Sequence, residues 1–216
     1  MTESPRVPVA DLDRATAATA ATLLRPSCAS ARWIERLVSG RPYGTRPALE
    51  AASDAAISTL GWPDIEQALA AHPRIGDRPP SGGPAGGNPQ PGNPGSHPLP
   101  AGNAGSHPPP AGNAGSHPPP TGDRAGDRDR EAAWSRQEQS GARDAPADVQ
   151  AGLEAGNAAY EKRFGHVFLI CATGMSAASM LAALQARLGH DPAAEREVVR
   201  DELMKIVRLR LAKTFE

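Results

Sequence analysis

Apolar residues recur along most of this chain at every third or fourth position, the spacing that lines one side of an α-helix. Residues 9–24 place Val9, Leu12, Ala20, Leu23 and Leu24 on such a stripe. Residues 29–39 do the same with Trp33, Ile34, Leu37 and Val38, and Gly40 closes that segment. A third helix is predicted from Pro47 through Leu60, with Leu49, Ala56, Ile57 and Leu60 apolar. Gly61 breaks the chain, and Pro63 suits the first turn of a short helix over DIEQALAAH. Further helices are expected at 129–142, at 146–164 and from a Ser176 cap through Leu188. The last starts at Asp191-Pro192 and carries Val199, Leu203, Ile206 and Val207. With no hairpin signal and no sustained alternation, the expected class is all-α, a compact multi-helix bundle. The run VFLICA, 167–172, is too short for its period to separate a strand from a buried helix.

The helical pattern lapses between Pro79 and Gly122. That stretch holds no Asp, Glu, Lys or Arg and contains 14 of the 23 prolines. Within it a decamer occurs three times, as GNPGSHPLPA (92–101), GNAGSHPPPA (102–111) and GNAGSHPPPT (112–121). Having almost nothing apolar to bury, it cannot offset the entropy lost on ordering its backbone, so a long disordered Pro/Gly-rich insertion is expected. A period of ten is also too short for the repeats that build solenoids. His97, His107 and His117 recur once per decamer, and a histidine-based metal tether is the alternative use of the segment. The folded part is then two pieces, 1–78 and 123–216, making one domain around 79–122.

Composition narrows the function classes. A formal net charge of −1 gives no electrostatic reason to expect a nucleic acid or an anionic membrane as partner. No apolar run approaches the roughly 18 residues that span a bilayer. The N-terminal residues lack the basic-then-apolar pattern of a secretory signal, and Cys28 and Cys171 match no metal or disulfide spacing. A cytoplasmic protein with no metal site in its folded part is the expectation.

Candidate chemistry centres on AAHPRIGDR, 70–78. Pro73 disfavours helical backbone at His72, so the helix should end there and project the imidazole from its terminus. Such a histidine is either a helix-end cap or, held by a rigid turn, a proton carrier near neutral pH. In WSRQEQ, Ser135, Glu138 and Gln139 stand at i, i+3 and i+4 and share a helix face, which is a hydrogen-bonding surface or an ordinary solvated one. The run 168–172, with Gly165 before it and Gly174 after it, either brings backbone close to a ligand or is core.

Together these stretches resemble the 2-oxo-4-hydroxy-4-carboxy-5-ureidoimidazoline (OHCU) decarboxylase family. The likeness covers nearly all of the folded part: CASARWIERLVSGRPY, GWPDIEQALAAHPRIGD, WSRQEQSG, NAAYEKRFGHVFLICATG and ELMKIVRLRL, in the family's order. The resemblance implies a cofactor-independent carboxy-lyase of urate degradation that forms S-allantoin, and suggests a homodimer. It assigns His72 and Glu138 as catalytic. Pro73, Ser135, Arg136, Gln137, Gln139 and the run Phe168, Leu169, Ile170, Cys171 and Ala172 fall where the family contacts substrate. Arg210 falls where an arginine would meet the substrate's anionic group, although Arg208 is an equal chemical candidate. In the implied chemistry His72 moves the proton and Glu138 orients the imidazole or the substrate hydroxyl. Two departures stand out: His166-Val167 replaces a common Phe-Pro, and 63 residues separate His72 from Ser135. The competing expectation is a catalytically inactive helical binding module with the repeat as a disordered, metal-binding tether.

Overall fold

The computed structural model describes residues 6–76, 134, 137–142 and 145–216. The tandem repeat, its three histidines and the expected disorder of 79–122 lie outside the described residues, as does half of the helix predicted at 129–142.

Eight α-helices have their bounds among the described residues: α1 (Val9–Arg14), α2 (Ala17–Leu24), α3 (Ala31–Ser39), α4 (Arg46–Ser58), α5 (Trp62–Leu69), α6 (Ala147–Phe164), α7 (Ala177–Arg187) and α8 (Pro192–Thr214). Trp134, Gln137 and Glu138 are also helical, and Ser140–Ala142 form a 3₁₀ turn. No strand occurs among the described residues; a single parallel bridge joins Val7 to Phe215. No helix there is long and apolar enough to cross a membrane.

Local chemistry sets the boundaries. The side chains of Thr16, Ser30, Thr45, Ser176 and Asp191 each accept a backbone N–H from the first turn they precede, worth about 1 kcal/mol apiece. The Thr16 cap accounts for a difference from expectation: the alanine-rich segment 9–24 is two helices, because Thr16 takes the N–H of Thr19 and starts a new one. Helix α6 ends at Gly165, whose φ of 80° is a left-handed conformation costly for any residue with a Cβ.

The helices bury two apolar clusters. Trp33, Leu49, Ile57, Ile65, Leu203 and Val207 belong to the first, built from α1–α5 and α8. Trp33 is fully buried, and its indole N–H donates to Ser53 Oγ at 3.1 Å. The second joins Leu153 and Tyr160 of α6 to Met180 and Leu184 of α7, with Ile75, Phe168 and Ala172. Gly152 lets α6 approach α7 closely, since a Cβ there would stand 2.8 Å from Leu181 Cδ2.

Residues 167–172 run between the two clusters as extended chain. Val167, Leu169 and Cys171 pack on the first, and Phe168, Ile170 and Ala172 on the second. This alternation is the period of two of an extended backbone, here with a core on each face. Side chains from flanking helices replace part of the missing ladder: Glu202 accepts the Cys171 N–H at 2.7 Å, and Arg187 donates to the Leu169 carbonyl at 2.7 Å.

Candidate active site

Helix α5 delivers His72 one turn past its last helical residue. The backbone N–H of His72 donates to the Leu69 carbonyl at 2.9 Å, and imidazole Nδ1 stands 3.0 Å from the carbonyl of Ala68. A carbonyl only accepts, so Nδ1 carries the proton and Nε2 keeps a lone pair. Nε2 is buried without a hydrogen-bond partner in the described protein, and the residue is 8% exposed. Burial, followed by the nearby positive charge of Arg210, pushes the imidazole pKa down to about 3, with the Ala68 bond opposing them. At neutral pH this imidazole is uncharged and keeps an unprotonated Nε2.

The turn after His72 is clamped. Arg74 makes a two-pronged ion pair with Glu161 of α6, both contacts at 2.6 Å. Asn157 Nδ2 donates to the Ile75 carbonyl at 2.9 Å, Gln150 to the Gly76 carbonyl at 3.3 Å, and Gln139 to the Pro73 carbonyl at 3.3 Å. Gly76 has a φ of 84°, which a side chain would strain. Three carbonyls of this turn, those of Pro73, Ile75 and Gly76, thus find side-chain donors. His72 does not depend on Glu138 for its orientation; the Ala68 carbonyl holds the ring.

Glu138 is paired elsewhere. Arg210, wholly buried on α8, donates Nη2 to Glu138 Oε2 at 3.1 Å and Nε to Oε1 at 3.4 Å. Lys213, one turn further along and 38% exposed, donates to Oε1 at 3.2 Å. Arg208, the other candidate, points to the opposite side of α8 and makes a bidentate pair with Asp54 of α4. Of the two arginines, Arg210 is the one beside Glu138 and His72.

One cavity collects His72 and Glu138; Arg210, expected at the substrate, stands behind Glu138 and is not part of the cavity wall. Its wall consists of His72, Pro73 and Ile75 from the turn, Glu138 and Gln139, the extended residues Phe168, Leu169, Ile170 and Ala172, and Ile206 of α8. Its free space is about 10 Å³, close to what one water needs. Cys171, expected in this wall, is absent from it, because the alternation turns its side chain to the first cluster while Glu202 takes its N–H. Gln137 is exposed. Ser135 and Arg136 lie outside the described residues. Ile75, Ile206 and Lys213 were not anticipated. Lys213 stands three residues after Arg210 on the same helix face, and that spacing was the available signal. Among the described residues no group of His, Cys, Asp or Glu could hold a metal ion.

Comparison with known proteins adds family evidence to this geometry. A sequence model of the OHCU decarboxylase family matches residues 13–88 and 114–212. A uric acid degradation bifunctional protein of Arabidopsis thaliana is 48% identical over 59 residues, 27% of this chain and 18% of the plant protein. A 2-oxo-4-hydroxy-4-carboxy-5-ureidoimidazoline decarboxylase of Amia calva is 46% identical over 55 residues, 26% of this chain and 31% of that relative. The chain thus spans less than a third of either curated relative. In fold it is similar to an OHCU decarboxylase crystallised in the presence of (S)-allantoin, with a TM-score of 0.57, 23% identity, and 88% of this chain and 94% of that one covered. An (S)-allantoin synthase gives the same TM-score at 18% identity, covering 96% of this chain and 54% of the other.

Proposed function

The chain belongs to the OHCU decarboxylase family, and from that premise we propose that it removes CO2 from 2-oxo-4-hydroxy-4-carboxy-5-ureidoimidazoline to give S-allantoin in urate degradation, without a metal or organic cofactor. The observation that carries this is His72: a buried, neutral imidazole with an unpartnered Nε2, lining a cavity shared with Glu138.

When the carbon–carboxylate bond breaks, its electron pair moves through the ring onto the nitrogen of the adjacent C=N bond, and that nitrogen takes a proton from solvent. Nε2 of His72 accepts the proton of the hydroxyl as that carbon becomes a carbonyl. The imidazolium then returns the proton to the ring carbon that bears the ureido group. An imidazole held near pKa 3 is a weak base and, once protonated, a strong acid, so it favours the second transfer at the expense of the first. Delivery from one fixed side of the ring sets the S configuration. The planar Arg210 fork supports binding of the substrate's anionic group, with Glu138 placed to hold that fork or the hydroxyl. Gln139 and the 168–172 wall orient the ring; Ser135 and Arg136 are further contacts on the strength of the family pattern. Because the cavity is about the size of one water, substrate entry must part its walls. A cytoplasmic homodimer completes the proposal, to be checked by light scattering.

The test is a circular-dichroism assay for S-allantoin with freshly generated OHCU. Wild-type protein should accelerate product formation with a single handedness. His72→Asn should keep the melting profile and lose both the catalysed rate and the stereoselectivity. Wild-type turnover by that variant removes His72 from the mechanism, and an inactive wild type supports a binding module instead.

A further inference from the structure

Behind the extended wall of the cavity lies a buried polar group that the chemistry above does not use. Arg187, at the end of α7, is 6% exposed. Its Nε donates to Glu195 Oε1 at 2.8 Å, its Nη1 donates to the Leu169 carbonyl at 2.7 Å, and its plane stands 4.6 Å over the Phe168 ring. Glu195 is fully buried and also accepts from the Tyr160 hydroxyl and from His190, whose Nδ1 is 2.7 Å away. The Tyr160 ring meets Phe168 edge-on with centroids 5.2 Å apart. Phe168 and Leu169 line the cavity; Arg187, Glu195 and Tyr160 do not.

The arrangement has a physical reason. An extended segment without a neighbouring strand needs donors for its carbonyls, and a buried guanidinium needs acceptors. One planar fork meets the carboxylate and the carbonyl together while stacking on the next ring, which an ammonium cannot do. Burial works to raise the Glu195 pKa, but the hydrogen bonds from Arg187 and Tyr160, the Arg187 charge and the His190 contact outweigh it, so the carboxyl is held below its ordinary value and the anchor stays charged.

We propose that Arg187 is a positioning residue for the decarboxylation site: anchored by Glu195 and Tyr160, it fixes the depth and tilt of the Phe168–Leu169 wall against which the substrate ring is held. This rests on the OHCU reading, and the experiment separates the two. Two variants are compared with wild type, Arg187→Lys and the double variant Arg187→Met/Glu195→Gln. The double variant removes both buried charges together, which spares the fold the unpaired charge that a single deletion leaves. In both, kcat should fall about 10- to 100-fold with KM changed far less, and product enantiomeric purity should drop, because a displaced wall misorients a ring that still binds. Wild-type kcat and enantiomeric purity in either folded variant overturn the proposal. If the double variant does not fold, Arg187→Lys decides alone. If wild type itself does not turn over OHCU, the activity reading fails, and hydrogen exchange of the same variants decides the positioning role. Faster exchange confined to 167–173 upholds it, and exchange unchanged there overturns it.

Discussion

Replacing Glu138 by glutamine removes one charge from a pair whose other member has no access to water. Arg210 is fully buried and Glu138 nearly so, with the closer contact at 3.1 Å. At an effective dielectric of about 20, two unit charges at that distance attract by roughly 5 kcal/mol. Burial of both has already been offset in the native state, so deletion of one charge takes a close ionic contact from a buried partner, at up to roughly 3–5 kcal/mol of stability. For a folded part of this size that is a melting shift of roughly 6–20 °C. Lys213 touches the same carboxylate at 3.2 Å but is 38% exposed, so solvent and its own side-chain entropy reduce its share to about 0–1 kcal/mol. The expected order is therefore Glu138→Gln far below Lys213→Met, with the double variant Glu138→Gln/Arg210→Met losing less than the sum of its two single variants. Urea titrations with a common slope, supported by calorimetry, measure it. Equal losses for Glu138→Gln and Lys213→Met, or strictly additive losses in the double variant, would refute the view of Arg210–Glu138 as a buried, coupled pair.

Two further outcomes follow from the same region. The folded pKa of His72 lies near 3, below its ordinary 6.5, so between those values the unfolded chain binds more protons at this position and stability falls as pH falls. His72→Gln should unfold with about one fewer proton taken up near pH 5, measured from the pH dependence of urea stability; an unchanged slope contradicts a buried neutral imidazole. Gly141 stands two residues after Gln139, and a Cβ there would collide with the Met175 carbonyl, so the backbone must shift. Gly141→Ala should cost about 1–3 kcal/mol and lower kcat/KM by displacing Glu138 and Gln139. A variant with wild-type kcat/KM would show that the 3₁₀ turn does not place them.

Much of this site could be read from the chain because its cues are local. Pro73 after His72, the caps at Ser176 and Asp191 and the breaker at Gly61 act over one to four residues, and the helices obey them. The split at Thr16 was missed because a lone threonine in an alanine-rich stripe does not interrupt the apolar spacing that signalled one helix. The extended state of 167–172 was undecidable since alternation shows in a sequence only when one face is polar, and here both faces are covered by apolar cores. The choice of Arg210 over Arg208 depended on which side of α8 meets Glu138, 72 residues away, a pairing no spacing encodes. No local pattern singles out Arg187 or Glu195; only the fold brings them together in the interior.

The acceptor that orients His72 belongs to the main chain. Any residue small enough for the fully buried position 68 would supply the same oxygen, so such a change there leaves the proton on the same ring nitrogen. Choice of the imidazole tautomer is thereby entrusted to helix geometry, and under the proposed chemistry the same geometry decides which nitrogen would meet the substrate.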